Sequence, residues 1–384
     1  MPSFAPLQPG PHSWIGILGG GQLGRMTAMA AQRMGYPVLL WSGGPHGGPA
    51  TAATEVLTEP FDSEAALRTF LDRVKVVSVE FENIPADLLH HIEETHPLHP
   101  TATAITTTQH REREKHFLAK HGFPHAPFSI IDSEDALAHA LSKLPASGGV
   151  LKTAEFGYDG KGQRTVQSTD SAELIWGAFD SPRAVLEHRI DLQAEVSVIV
   201  ARSPQGEVVT YPVAENIHRN HILDLTIVPA RQPEDLLQKA EHIAHEIAET
   251  FAYVGLFAIE YFVSTRGDLL VNEIAPRPHN SGHHTMDSCI TSQFENHVRA
   301  ICGLPLGSTQ LTTPSAVMLN LLGDLWPVDW TPVFTLPDTH LHLYGKEDAK
   351  QGRKMGHINL RGKNRENLLQ STELLRAQLA TGEG

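Results

Sequence analysis

Two apolar runs separated by a short polar turn constrain this chain more than any other feature. Phe257-Ala258-Ile259-Glu260-Tyr261-Phe262-Val263 and Leu269-Leu270-Val271-Asn272-Glu273-Ile274-Ala275 flank Arg266-Gly267-Asp268. The pattern reads as two strands joined by a tight turn. With the turn centred on Arg266-Gly267, Glu260 stands directly opposite Glu273. Directly opposed residues share one face of a sheet, so two like charges are forced together. Either one carboxyl keeps its proton or a cation sits between them. Hard oxygen donors favour Mg2+, with Mn2+ as a substitute; Mg2+ commonly combines one or two carboxylates with substrate phosphates. The competing reading is an exposed hairpin with two solvated glutamates. So apolar a strand argues against exposure on both faces.

With 384 residues the chain has room for two or three domains. At 41% hydrophobic and 19% charged it reads as a soluble globular protein. No apolar run approaches the ~20 residues that span a bilayer. Residues 1–13 contain several prolines and no basic residue ahead of an apolar core, so they read as a loose tail rather than a signal peptide. Cys289 and Cys302 fall in one predicted helical region at a spacing that puts them on different faces. No disulfide is expected, and a reducing cytoplasm fits. A formal charge of −14 argues against nonspecific nucleic-acid binding, which needs a basic footprint. An anionic ligand therefore needs a local basic site.

The chain opens as a βαβ unit, which predicts an α/β fold. Trp14 to Leu18 is a short buried strand, Gly19-Gly20-Gly21-Gln22-Leu23-Gly24 a glycine loop, Arg25 to about Met34 a helix, and Val38 to Trp41 a second strand. The loop matches G-x-G-x-x-G. A dinucleotide site also wants an acid at the end of the second strand, and here that strand ends Trp41-Ser42-Gly43-Gly44. The loop is therefore expected to bind a phosphate at the helix N-terminus without being an NAD or FAD site. A purely structural turn is the competing reading. A second glycine loop, Phe156-Gly157-Tyr158-Asp159-Gly160-Lys161-Gly162-Gln163, follows Lys152. Asp-Gly marks a hairpin whose amide-rich tip is suited to folding over phosphates. No Gly-Lys-Ser/Thr closes it, so it is not a Walker A sequence.

Arg277, His279, Asn280 and Ser281 follow the paired glutamates directly. A cationic fork, an imidazole and an amide beside a metal suit an oxyanion, and a solvated polar loop is the bland alternative. Lys346, Lys350, Arg353, Lys354 and His357 form a basic island in an acidic protein, read as a second anion site or as a solvated basic face. His340 and His342 alternate on one strand, but no third ligand is evident and zinc is disfavoured.

Together these segments resemble the ATP-grasp superfamily, and within it most closely the N5-carboxyaminoimidazole ribonucleotide synthetases of purine biosynthesis. The resemblance runs from about Ile15 to Leu360. Its specific parts are residues 19–26, Glu80-Phe81-Glu82-Asn83, residues 157–163, residues 272–283 and residues 352–357. It implies an α/β ATP-grasp fold: an N-terminal Rossmann-like (pre-ATP-grasp) domain over 1–112, a small lid domain over 113–189 and a larger C-terminal α+β domain over 190–384. It also implies an ATP-dependent ligase in which ATP and bicarbonate give ADP and carboxyphosphate. The amine of 5-aminoimidazole ribonucleotide then captures the carboxyl group, directly or as CO2. A cytoplasmic homodimer acting on small molecules, with no nucleic acid or membrane partner, is expected. The runner-up is another ATP-grasp ligase, such as a formate-using purine transformylase or a biotin carboxylase-like enzyme. A nicotinamide-dependent dehydrogenase and a catalytically silent nucleotide sensor are the readings from other classes.

Residue roles follow from the resemblance. Arg111 and Lys152 would hold the ATP phosphates, and Gly157, Tyr158, Asp159, Gly160, Lys161, Gly162 and Gln163 would close over them. Glu187, His188, Arg189 and Ile190 would present backbone groups to adenine, Glu195 would take the ribose, and His218 would lie near the nucleotide. Glu260 and Glu273 would hold the metal, with Asn272 beside them. Arg277, His279 and Asn280 would hold bicarbonate and then carboxyphosphate. Gly21, Gln22 and Leu23 would offer amides to the ribonucleotide 5′-phosphate, with Lys346, Arg353 and Lys354 as its cationic clamp. Glu80 and Asn83 would hold its ribose. Tyr158 and Asp159 would reach its amine, and Lys354 would serve the chemistry as well as the clamp.

Overall fold

The computed structural model describes residues 5–155, 157, 162–179 and 181–380. Its first sheet is parallel: β1 (Ile15–Leu18), β2 (Val38–Gly43), β3 (Glu55–Pro60) and β4 (Val76–Val79), in the order β3-β2-β1-β4. Parallel strands this apolar need cover on both faces. On one side Trp41, Phe70, Leu89 and Ile92 close over Leu18, Leu39 and Val77. On the other, Ala28 and Ala31 of the helix Gln22–Arg33 join Val298 and Ile301 of the helix Gln293–Ile301 against Ile15, Ile17 and Val38.

The first helix begins at Gln22, three residues before the expected Arg25. Gly21 is the N-cap residue, yet no local side chain caps this end. The side chain of Glu80 does so instead. It accepts hydrogen bonds from the amides of Gly21 and Gly24, the latter at 2.6 Å. Acidic groups suit helix N-termini, but this one arrives from the end of β4, out of reach of a local reading. Within the segment expected to form a loose tail, Leu7 is tied down: its amide donates to the Cys302 carbonyl and its own carbonyl accepts from Tyr36 Oη.

A small antiparallel sheet follows, β5 (Phe128–Ile131), β6 (Gly149–Thr153), β7 (Gln163–Val166) and β8 (Ala184–His188), in the order β5-β8-β6-β7. The second glycine loop joins β6 to β7, as the Asp-Gly signal implied. Tyr158, Asp159, Gly160 and Lys161 lie outside the described residues.

The large sheet holds β9 (Leu192–Arg202), β10 (Val208–Thr210), β11 (Ala214–Arg219), β12 (Ile222–Val228), β13 (Gly255–Ser264), β14 (Leu269–Ala275), β15 (Ser315–Leu322), β16 (Thr339–Leu343) and β17 (Lys354–Gly362). Its order is β14-β13-β9-β11-β12-β15-β17-β16, with β10 beside β9. Phe257, Ile259, Tyr261 and Val263 of β13 pack under the helix Glu234–Thr250 against Ala240, Ile243 and Ile247. On the opposite face Leu256 and Ala258 meet Tyr211 and Cys289. Only the positions of Glu260 and Phe262 open that face to a cleft.

The hairpin register agrees with the sequence reading through two compensating departures. The turn is one residue longer than expected, because the Ser264 amide bonds the Asp268 carbonyl at 2.9 Å, with Gly267 in the left-handed region at φ 83°. The pairs therefore run Tyr261↔Val271 and Val263↔Leu269. A bulge then absorbs Asn272 and restores Glu260↔Glu273. Cys289 and Cys302 are free and buried. They are not in one helix: Cys302 caps the end of Gln293–Ile301, and Cys289 ends the one-turn helix Thr285–Ser288.

Candidate active site

All three sheets face one cleft of about 1040 Å³. On its floor Glu260 and Glu273 sit side by side on β13 and β14, and they respond to their surroundings in opposite directions. Burial alone would raise Glu260, but its contact with His279 Nε2 at 2.9 Å, aided by His218 and Lys354, holds it down at about 2. Burial and then the charge of Glu260 push Glu273 up, against Arg111, Lys152 and His279. Among the described residues, the cation paired with Glu273 is Arg111, whose Nη1 stands 3.9 Å away. Beside them the Asn272 Oδ1 is buried with no hydrogen-bond partner. Two opposed carboxylates and an orphaned amide oxygen are the hard donor set that a Mg2+ ion accepts. Among the described residues no cluster of three or more His, Cys, Asp or Glu side chains offers a metal site; this pair with its amide is the one that fits.

The β6–β8 side of the cleft is cationic and internally braced. Lys152 Nζ lies 2.9 Å from Glu187 Oε1, and Lys115 Nζ lies 3.2 Å from Glu187 Oε2. Burial works against the Glu187 carboxylate, yet Lys115, Lys152 and Arg111 hold it well below the usual carboxylate range. Its side chain is thus a counter-ion for two lysines, a task that the adenine-facing backbone role did not include. Burial pulls Lys152 down against that pairing. Glu195 Oε2 meets His218 Nδ1 at 3.2 Å. Burial lowers the imidazole, but the carboxylate more than restores it. His188, Arg189, Ile190, Gly157 and Gln163 line the same wall, while Gly162 lies behind it, where a Cβ would fall 2.6 Å from Thr153 Oγ1.

At the first glycine loop the structure revises the expected use of the helix N-terminus. Glu80 already occupies the amides of Gly21 and Gly24. A Cβ at Gly19, Gly21 or Gly24 would lie 2.2, 2.7 or 2.9 Å from an atom of Glu80. These glycines therefore admit a carboxylate of the chain itself. The Gln22 and Leu23 amides precede the first backbone bond of the helix, from the Arg25 amide to the Gly21 carbonyl. Gly21, Gln22, Leu23, Glu80 and Asn83 all border the cleft. Burial raises Glu80, opposed by the two amides, Arg277 and Lys346.

Arg277, expected to hold bicarbonate and then carboxyphosphate, is also forked onto Glu82, with Nε to Oε2 at 2.6 Å and Nη2 to Oε1 at 3.2 Å. The pair spans the first and largest sheets. Burial would raise Glu82, but Arg277 keeps it low. With the Nε/Nη2 edge on Glu82 and one long 3.4 Å bond from Nη1 to the Pro278 carbonyl, the end of the guanidinium still has donors to offer a second anion. The His279 Nδ1 accepts from the Ser281 amide at 3.3 Å, so Nε2 carries the hydrogen presented to Glu260. Both polar atoms of the Asn280 side chain are buried without partners, at the cleft wall. Of the basic island, Lys354 reaches the cleft. Lys346 and Arg353 stand outside the lining: Lys346 Nζ donates to the Lys354 carbonyl at 2.7 Å and Arg353 Nη1 to the Asp348 carbonyl at 2.8 Å. His340 and His342 do face together, onto Asp287 at 3.6 and 2.8 Å.

Comparison with known proteins decides the family. Residues 13–109 match the ribonucleotide synthetase preATP-grasp domain, 116–294 the ATP-grasp domain and 316–371 the phosphoribosylaminoimidazole carboxylase C-terminal domain. An N5-carboxyaminoimidazole ribonucleotide synthase of Bacillus subtilis strain 168 is 42% identical over 350 residues, covering 91% of each chain. The chain belongs to the N5-carboxyaminoimidazole ribonucleotide synthase family. A crystal structure of such a synthetase with ADP superposes at TM-score 0.89, with 40% identity and 97% coverage of both chains. One from Aspergillus clavatus, in complex with ADP and 5-aminoimidazole ribonucleotide, superposes at 0.85 with 29% identity, covering 96% of this chain and 99% of that one. The synthase family explains why three sheets share one cleft: a nucleotide and a ribonucleotide must meet there. Sequence reasoning missed Glu82, which lies inside a motif that had been singled out, and Glu114 and Lys115, which carry no local signal. Among the described residues no helix is long and apolar enough to cross a membrane.

Proposed function

We propose that this chain carboxylates 5-aminoimidazole ribonucleotide with bicarbonate at the expense of ATP, giving N5-carboxyaminoimidazole ribonucleotide, ADP and phosphate in purine biosynthesis. The observation that carries the reading is the opposed pair Glu260 and Glu273 beside Arg277, His279 and Asn280, in a cleft that also reaches Lys152 and the Gln22 and Leu23 amides. Glu260, Glu273 and Asn272 would hold Mg2+, with Mn2+ as a substitute, and the ion would supply neutralisation of the ATP phosphate charge. Arg111 and Lys152 bind those phosphates, and the loop from Gly157 to Gln163 closes over them. Glu187 to Ile190 flank the adenine, and Glu195 with His218 the ribose.

The end of the Arg277 guanidinium, the His279 imidazole and the Asn280 amide hold bicarbonate while its oxygen attacks the γ-phosphoryl group, forming carboxyphosphate and ADP. The ribonucleotide is fixed by the Gln22 and Leu23 amides and Lys354, with Lys346 and Arg353 behind Lys354. Glu80 and Asn83 face its ribose, and Tyr158 and Asp159 its amine. The amine nitrogen bonds the carboxyl carbon as that carbon's bond to the phosphate oxygen breaks, and the surplus proton on nitrogen passes to the departing phosphate. Closure over the cleft keeps water from carboxyphosphate and CO2. The reading includes a cytoplasmic homodimer with domains over 1–112, 113–189 and 190–384.

Product analysis tests it. ADP released only when bicarbonate and aminoimidazole ribonucleotide are both present is the expected result. ATP hydrolysis stimulated instead by formate and glycinamide ribonucleotide would assign the chain to the transformylase class.

A further inference from the structure

Strand β14 is the edge of the large sheet, and it carries Glu273. An edge strand leaves a row of N–H and C=O groups without a strand partner. Here that row is met by the helix Arg111–Lys120 and the segment behind it. The Val271 amide donates to the Pro124 carbonyl at 2.7 Å, Lys115 Nζ donates to the Asn272 carbonyl at 2.8 Å, and the Ile274 amide donates to Glu114 Oε1 at 2.6 Å. The last two contacts grip the peptide groups immediately before and after the Glu273 Cα, at the place where the Asn272 bulge interrupts the ladder.

Glu114 and Lys115 are 2% and 0% exposed. Burying a charged side chain is expensive unless it is paired and hydrogen-bonded, and packing alone would be served by apolar residues. Lys115 also reaches Glu187 at 3.2 Å, so one ammonium ties the wall behind Lys152 to the strand bearing Glu273.

We propose that Glu114 and Lys115 are positioning residues that clamp both peptide groups flanking Glu273 and so aim its carboxylate at the cation. The inference rests on Glu273 being a cation ligand. Glu114→Leu removes the acceptor for the Ile274 amide, whereas Glu114→Gln keeps an oxygen there; Lys115→Met removes the other half of the clamp. Mn2+ binding is read by electron paramagnetic resonance in the presence of ADP, and thermal melting reports folding. Loss of a group orienting a metal ligand typically weakens metal binding 10–100-fold. Glu114→Leu and Lys115→Met should therefore raise the Mn2+ dissociation constant about tenfold or more, with Glu114→Gln near the parent. If the melting temperature falls while folded Glu114→Leu and Lys115→Met bind Mn2+ like the parent, the two residues are merely structural and the inference is overturned. Glu273→Gln separates the two levels. Normal Mn2+ binding in that variant overturns the ligand assignment and the inference with it. Lost binding there, beside normal binding in the other two, overturns the inference alone.

Discussion

Gly24→Ala pits two effects of known sign against each other. Gly24 lies in the first turn of the helix Gln22–Arg33, where alanine gains up to ~1 kcal/mol of helix propensity. Against this, the new Cβ would lie 2.9 Å from Glu80 Oε2 and 3.4 Å from Leu40 Cδ1. The carboxylate must shift and give up its 2.6 Å bond from the Gly24 amide. A hydrogen bond to a charged group contributes about 1.5–3 kcal/mol. The loss wins, and Gly24→Ala should destabilise the protein by about 0.5–2 kcal/mol, the difference between these terms. In a Glu80→Ala background neither the clash nor the bond exists, so the same substitution should stabilise by roughly 0.5–1 kcal/mol. Urea unfolding of the four proteins closes the double-mutant cycle, with an expected coupling of about 1.5–3 kcal/mol, the worth of the lost bond. An equal cost in both backgrounds, or stabilisation in the parent, would refute the claim that the glycine is there to admit Glu80.

Glu82→Gln should cost about 2 kcal/mol, between the values for exposed and buried ion pairs, and should raise KM for bicarbonate while leaving that for ATP unchanged; parallel changes in both would remove Arg277 from the bicarbonate site. Arg353→Ala should weaken the ribonucleotide about tenfold and spare ATP, and an unaltered ribonucleotide affinity would make its bond to the Asp348 carbonyl a loop brace and no more. The buried imidazoles of His99, held down at about 4, and of His284 and His297, at about 3, stay neutral in the fold, whereas in the unfolded chain they take up protons as pH falls below 6.5. From pH 7 to 5 each of these three should remove about 2 kcal/mol of stability, and His283 and His357, also held well down by burial, act in the same direction; Glu114, pushed up to about 7, opposes them, as do Glu80 and Glu273, which burial raises. Urea midpoints that stay flat as pH falls over this range would contradict the dominance of the imidazoles.

The elements that sequence made legible are those whose signal is local. The apolar run of β13, the Asp-Gly hairpin and the βαβ opening all announce themselves within ten residues. The opposition of Glu260 and Glu273 was legible too, although the longer turn and the Asn272 bulge cancelled rather than being foreseen. What escaped is tertiary. The start of the first helix depends on a cap 56 residues away at Glu80. The helix Arg111–Lys120 reads as uniformly charged, yet it buries Glu114 and Lys115 because the edge of β14 needs a donor and an acceptor. Glu82 sits in a motif with obvious carboxylates, but its partner Arg277 is 195 residues away.

The acidic groups of the cleft differ in how they are answered, and that difference locates the chemistry. Glu82, Glu187, Glu195 and Glu260 each meet a guanidinium, ammonium or imidazole between 2.6 and 3.2 Å. Glu80 and Glu114 instead accept backbone amides. Glu273 has Arg111 at 3.9 Å and the charge of Glu260 opposite. On the proposed reading, a divalent cation entering the cleft would find its largest gain at Glu273, where like-charge repulsion is relieved as attraction is made. The same logic separates this glycine loop from a dinucleotide site. A pyrophosphate brought to the first helix would meet the Glu80 carboxylate already on the Gly21 and Gly24 amides, which favours the proposed reading of a single phosphate confined to the amides of Gln22 and Leu23.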